Sequence, residues 1–211
     1  SSRGGNNASK ETNILNSAQI TQYPTQVRTA VLRMMIDGND PANIMFNTPA
    51  DFNTLSTDGT TRLGVFHPRG GEAVYQQPAS GLVNTTVNSD QRWFFNGNFE
   101  IGNIGLPGTG EIIAFLPGIS SAMCTKLNEE YGITDIPEFG SDVLTQTSTA
   151  NSTNVDSSLG SGTDSATNAT SYDGDLGHID FPSELDSQPF GCFENDTASG
   201  EYVYYHVLVE R

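Results

Sequence analysis

From Ser9 to Asp37 the apolar positions keep a helical step. Ile20, Tyr23, Val27, Ala30, Val31 and Met34 fall three and four residues apart and form one stripe, which Ile14 and Ala18 extend backwards. Thr12, Asn13, Gln19, Gln22, Arg28 and Thr29 occupy the other face. The pattern predicts one amphipathic helix. Ser9 is its N-cap with Glu11 in the first turn, Gly38 takes the left-handed C-cap position, and Pro41 bars continuation. Pro24 interrupts the stripe without ending it. Lacking an N–H, and crowding the carbonyl of Ile20, it predicts a kink. Two shorter helices broken at Tyr23 are the alternative, and the continuous stripe favours the single helix.

After Pro41 the pattern changes. "LGVFHP", "EAVYQQ", "RWFFNGNFEIGNI" and "GEIIAFL" are short aromatic or β-branched runs separated by Gly and Pro. They predict antiparallel strands joined by loops. "GISSAMCTKLNEEYGI" returns to a helical step: Ser120 or Ser121 caps it, Met123, Leu127 and Tyr131 share a face, and Gly132 ends it. "EYVYYHVLVER" is the strongest strand. Val203, Tyr205, Val207 and Val209 alternate with Tyr204, His206, Leu208 and Glu210, so both faces are partly apolar and the strand is expected inside a sheet. The stretch 141–172 is rich in Ser, Thr, Asn and Gly and reads as a low-complexity insertion loop. The expected fold is therefore α+β, one domain over 1–211. A long N-terminal helix packs its stripe on an antiparallel sheet, and a second short helix is added.

Composition restricts what such a domain can do. Asp and Glu number 25 against 9 Lys and Arg, a formal charge of −16. Nucleic acid and anionic lipid headgroups are excluded as partners by repulsion. The two cysteines, Cys124 and Cys192, are too few for a disulfide scaffold. Few lysines and many Asn, Ser, Thr and Gly suit an extracytoplasmic setting, where one bridge is expected. Two buried thiols are the alternative. The chain opens on polar "SSRGGNNAS" and contains no membrane-spanning run, so a membrane anchor is expected upstream or a targeting segment has been removed.

Catalytic motifs are absent from the sequence. His67, His178 and His206 have no metal-ligand partner at helical or turn spacing, and neither a nucleophile elbow nor a phosphate-binding loop occurs. Cys124 as a nucleophile would need an electropositive setting, which Glu129 and Glu130 oppose. The expectation is a protein that is not an enzyme. The cluster that invites a ligand is "YDGDLGHIDFPSELD". Asp173, Asp175, Asp180, Glu184 and Asp186 offer hard oxygen ligands of the kind calcium takes. The run begins like an EF-hand loop but lacks its later ligands, and a solvated acidic loop is the plainer reading. N-x-S/T sequons stand at Asn7, Asn84, Asn151, Asn168 and Asn195.

Three blocks, "TQVRTAVLRMMIDG", "GEIIAFLPGISSAMCTKLNEEYGI" and "GCFENDTASGEYVYYHVLVER", come in an order that resembles the globular domain of type IV pilins and pseudopilins from bacterial, membrane-anchored proteins. The resemblance implies a helix laid on a small sheet, with a hydrophobic half-helix upstream that anchors the subunit in the inner membrane and then forms a filament core. It also implies calcium in a C-terminal loop, as in the major pseudopilins of type II secretion. Here "RGGNN" is expected to break the helix before that point. Two functions follow as expectations. The first is a structural or assembly subunit that associates with itself or with other pilin-like subunits. The second is a membrane-tethered adhesin or ligand-binding module using the acidic loop.

Overall fold

The computed structural model describes residues 3–147 and 178–211. Helix α1 spans Arg3–Ile36, so it starts ahead of Ser9 and passes through the glycine pair. Extending an existing helix adds a hydrogen bond per residue without a new nucleus, which offsets two poor helix formers. Pro24 lies within it and is buried. Thr21, Thr25 and Thr29 each donate from the hydroxyl to the carbonyl four residues back, at 3.0 to 3.1 Å. The helix stops where Gly38, at φ 91°, lets its own N–H reach the Met35 carbonyl and the Asn39 N–H reach Met34.

A long connection with three one-turn 3-10 helices and one short α-helix separates α1 from the sheet. Helix α2 spans Phe52–Thr57. The runs "LGVFHP" and "EAVYQQ", expected as strands, form none. They make isolated backbone contacts instead: Val65 N–H donates to Met45 at 2.8 Å, and Ala73 N–H to Val65 at 3.0 Å. The reason is local. A side chain at Gly70 or Gly71 would collide with the backbone of Gly64 and Val65, so the chain folds back on itself more tightly than a ladder permits. Val65 and Phe66 are buried all the same.

Five strands form the sheet: β1 Phe94–Glu100, β2 Glu111–Ile119, β3 Ile179–Asp180, β4 Phe190–Glu194 and β5 Tyr202–Val209. Their order is β3-β1-β2-β5-β4. The pairs β1/β2, β2/β5 and β5/β4 are antiparallel, whereas β3 runs parallel to β1. The sheet is therefore mixed, not wholly antiparallel as expected, because the chain returns to the β1 edge from a distant segment. The terminal strand β5 is interior, as its two-sided apolar pattern requires.

Helix α3, Ser121–Glu130, follows β2 directly. The Ser120 hydroxyl accepts from Met123 N–H at 3.2 Å, and Gly132, at φ 78°, ends the helix with the same pair of bonds that closes α1. Helix α4 spans Leu144–Thr147, at the start of the stretch expected to be an insertion loop. Val143 is buried there, so that boundary moves inward by packing. Residues 148–172 of the stretch lie outside the described residues.

The sheet separates two cores. On one face Ile20, Tyr23, Val27, Val31 and Met34 of α1 pack on Ile112, Ala114, Leu116, Tyr204 and Leu208, with Met123 and Leu127 of α3 alongside. On the other, Phe99, Phe115, Phe193 and Tyr205 meet Phe139, Phe181, Val143 and Leu185 from loops. A bulge between Asn96 and Phe99 shifts the register, so Phe95 and Phe99 fall on opposite faces although an even step apart. Cys124 and Cys192 are joined with Cα atoms 5.4 Å apart, tying α3 to β4.

Candidate functional site

The acids expected to gather a cation divide into two groups. Asp173 and Asp175 lie outside the described residues. Asp180, Glu184 and Asp186 are brought together in a cleft of about 500 Å³, joined by Glu100 from β1 and Glu138 from the loop after α3. Strand β3 sets this arrangement by pairing Asp180 with Glu100. A one-turn helix at Ser183–Leu185 then buries Leu185 and turns the acids on either side outward. The Asp186 carboxylate lies against Gly102, where a side chain would displace it, and Ser187 N–H donates to the Gly102 carbonyl at 2.7 Å. Phe139 and Phe181 supply an apolar floor.

Glu100 is held in place by the loop after it, its two carboxylate oxygens accepting from Gly108 N–H at 3.1 and 3.2 Å. Among the described residues no three His, Cys, Asp or Glu side chains converge closely enough to hold a metal ion. The cleft concentrates negative charge, and its described side chains do not by themselves form a coordination shell.

A carboxylate that sequence reasoning missed lies nearby. Glu111, first residue of β2, is fully buried. Its Oε2 accepts from Ile101 N–H at 2.8 Å, while Oε1 has no hydrogen-bond partner. Burial pushes its pKa up to about 7; the Ile101 N–H pulls the other way, Glu100 adds to the rise, and Arg211 opposes it. The available signal was an acid opening an apolar run, "GEIIAFL".

The histidines are structural in their contacts. His67 Nδ1 accepts from Arg69 N–H at 3.0 Å, and its ring meets Phe52 at 4.8 Å. His178 packs beside Gly110. His206 is buried in β5 with Nδ1 3.1 Å from the Tyr204 hydroxyl, and burial, with Arg28 nearby, lowers its pKa to about 4. Cys124, being bonded, offers no thiolate. Of the sequons, Asn195 is buried and both its amide hydrogens are used, on Asp142 and Glu201 at 2.9 Å, so it is closed to modification in the fold. Asn84 is exposed.

Two further surfaces frame any interaction. The outer edge of β4 is closed by a side chain: Asn128 Oδ1 accepts from Cys192 N–H at 2.8 Å and its Nδ2 donates back to the Cys192 carbonyl at 2.9 Å. At Glu194 backbone covers the edge instead: its N–H donates to the Pro137 carbonyl at 2.8 Å and its carbonyl accepts from Phe139 N–H at 3.1 Å. The outer face of α1 is open, with Gln22, Thr25, Gln26, Thr29 and Arg33 exposed. Arg28 and Arg33 of α1 are engaged within the fold. Arg28 Nε donates to the Leu208 carbonyl at 3.2 Å, and Arg33 donates to the Gly71 carbonyl and lies 3.8 Å from Glu72. Among the described residues no helix is long and apolar enough to cross a membrane.

No family model, curated protein or solved structure matches this chain.

Proposed function

We propose that the protein is a structural or assembly subunit of an extracytoplasmic, pilus-like or pseudopilus-like bacterial apparatus, and that α1 is its contact element. The observation that carries this reading is the contrast between α1 and the sheet edges. A stable subunit needs a surface its own fold leaves unused. The backbone groups of Cys192 and Glu194 at the β4 edge are occupied, and β3 is only two residues long, so strand addition finds little to pair with. Helix α1 buries one face and leaves the other open, with Leu15 70% and Ile36 85% exposed.

Charge supports the same element. The chain carries −16 overall, yet from Leu15 to Ile36 α1 holds no acid, against Arg28 and Arg33. Copies that meet along α1 meet where their mutual repulsion is least. The disulfide suits the oxidising compartment in which such a subunit works. Sedimentation velocity on the full-length gene product tests the reading. Association that is lost in Thr29→Glu/Ile36→Glu is expected, and a monomer at every concentration would defeat it.

The acidic cleft favours a second reading, a tethered adhesin or ligand-binding module. Asp180, Glu184 and Asp186 would then draw calcium into the cleft without forming its full shell; Asp173 and Asp175, also expected as ligands, lie outside the described residues. Calorimetry with calcium decides it: a heat of binding lost in Asp180→Asn/Glu184→Gln supports the module, and no heat at millimolar calcium removes it.

A further inference from the structure

The N-x-S/T sequons are not equivalent in the fold. Asn195 is closed: its side chain is buried and both its amide hydrogens are engaged. Asn7, Asn151 and Asn168 lie outside the residues whose side chains are described. Asn84 differs from Asn195 in every respect that matters to modification. It opens the tripeptide Asn84-Thr85-Thr86, and all three residues are exposed.

The tripeptide is exposed without being loose. Asn84 N–H donates to the Gly118 carbonyl at 2.7 Å, which ties the turn to the C-terminal end of β2. The Asn84 carbonyl accepts from Val87 and Asn88 N–H at 3.1 and 2.9 Å. Val83 and Asn88, on either side, are buried, and Asn88 Nδ2 donates to the Arg92 and Pro117 carbonyls at 2.9 and 3.2 Å. The two buried residues pin the ends of a turn whose tip stands in solvent.

The side chains complete the arrangement. Asn84 Oδ1 accepts from Thr86 N–H at 2.9 Å and from the Thr86 hydroxyl at 2.8 Å. A backbone N–H can only donate, so the oxygen end of the amide is fixed towards Thr86. The Nδ2 hydrogens have no acceptor among the described residues. An amide nitrogen is a weak nucleophile because its lone pair is delocalised onto the oxygen. It gains nucleophilic character as a proton leaves and negative charge gathers on that oxygen. Two donors already aimed there stabilise the charge.

We propose that Asn84 is the site at which the folded chain accepts an N-linked glycan, with a polyprenyl-pyrophosphate-linked saccharide as donor and an oligosaccharyltransferase as the partner enzyme. Nδ2 forms a bond to the anomeric carbon, and the C–O bond from that carbon to phosphate breaks. The pyrophosphate leaves with the bonding pair, and the displaced Nδ2 proton passes to a carboxylate of the transferase. Thr86 is a positioning residue: it holds Oδ1 and thereby leaves Nδ2 to the donor. The inference shares with the proposed function its extracytoplasmic setting and needs no assembly through α1.

The purified, disulfide-intact full chain, incubated with a single-subunit oligosaccharyltransferase and its lipid-linked donor, tests it. The outcome then depends on neither cellular location nor self-association. Tryptic peptide 70–92, bounded by Arg69 and Arg92, is mapped by mass spectrometry with electron-transfer fragmentation. Sugar on Asn84 and none on Asn195 is expected. Thr86→Val should abolish the modification and Thr86→Ser should keep most of it, with the melting temperature of both variants unchanged because the position is exposed. An unmodified Asn84 overturns the proposal. So does sugar retained in Thr86→Val, or equal occupancy of Asn84 and Asn195, which would mean that the tripeptide and not the fold selects the site.

Discussion

The two faces of the sheet bury comparable sets of side chains by different means. On one, α1 and α3 place Ile20, Val27, Met34 and Leu127 at helical intervals over Ile112, Leu116 and Leu208, and the connection before β1 adds Ile44, Phe46, Val65 and Phe66 beside them. The other has no long helix over it and is covered mainly by loops, whose aromatic rings take the place of a helical stripe. Phe99 meets Phe115 at 5.0 Å, Phe139 meets Phe193 at 4.8 Å, and Phe181 meets Tyr205 at 4.6 Å. An irregular segment contributes few side chains per turn of chain, so each must bury a large area, and edge-to-face rings do so. A loop can thus be as much a part of the core as a helix.

The largest effects should come from that loop-covered face. Phe99→Ala is expected to cost about 3–5 kcal/mol in urea unfolding, at least as much as Ile20→Ala on the helix face. A smaller loss at Phe99 would mean that the loop cover is soft and the comparison fails. The disulfide sharpens the other side. It joins α3 to β4 across a separation of 68 residues, so Cys124→Ala/Cys192→Ala should lose about 2–5 kcal/mol. Calorimetric melting of the two forms measures it.

Asn128 is the next step down. Asn128→Leu leaves the Cys192 N–H and carbonyl without partners at the sheet edge, an expected loss of about 2–3 kcal/mol. It should also expose β4 to pairing with a second copy, visible as a new dimer by light scattering. A variant that is destabilised yet monomeric would show that other contacts close this edge.

The smallest effect concerns pH. The folded pKa of Glu111, about 7, lies above the ordinary 4.5, so its contribution to stability is complete below about 4.5 and is lost as pH rises through about 7. His206 acts in the opposite sense: its folded pKa of about 4 lies below 6.5, so stability is present above 6.5 and is lost as pH falls towards 4. The two slopes oppose each other between about 4.5 and 6.5. Glu111→Gln should remove the alkaline loss, of order 1–3 kcal/mol, and unmask a stability that rises with pH. Urea midpoints from pH 4 to 8 read this directly. An unchanged profile would place Glu111 in contact with water.

How much of this was legible follows from the same contrast. The stripe Ile20 to Met34, the Ser120 cap and the alternation of β5 were legible because period and capping are local properties, and each side chain lies where its spacing put it. "LGVFHP" and "EAVYQQ" carry strand-like composition, but the close approach of Gly70 and Gly71 to backbone far from them in the ladder sense decides their path, and no local pattern records it. The segments that bring Phe139 and Phe181 to the second core have no period to read. The candidate site divides likewise. Asp180, Glu184 and Asp186 are neighbours in sequence and share a cleft, whereas Glu100 and Glu138 join them only through β3 pairing and the path of the loop. Asn128 stands in for a strand backbone, a role that an asparagine within a helix does not announce.

Under the proposed function, α1 is the surface the fold leaves for a neighbour. Site-specific photo-crosslinking in the producing cell tests it most directly, with a benzophenone amino acid at Leu15, Thr29 or Ile36 on α1 and at Val74 or Leu106 as equally exposed controls. Covalent dimers and higher ladders are expected from the α1 positions and none from the controls. Ladders from Val74 or Leu106 alone, or no adduct from any position, would contradict it.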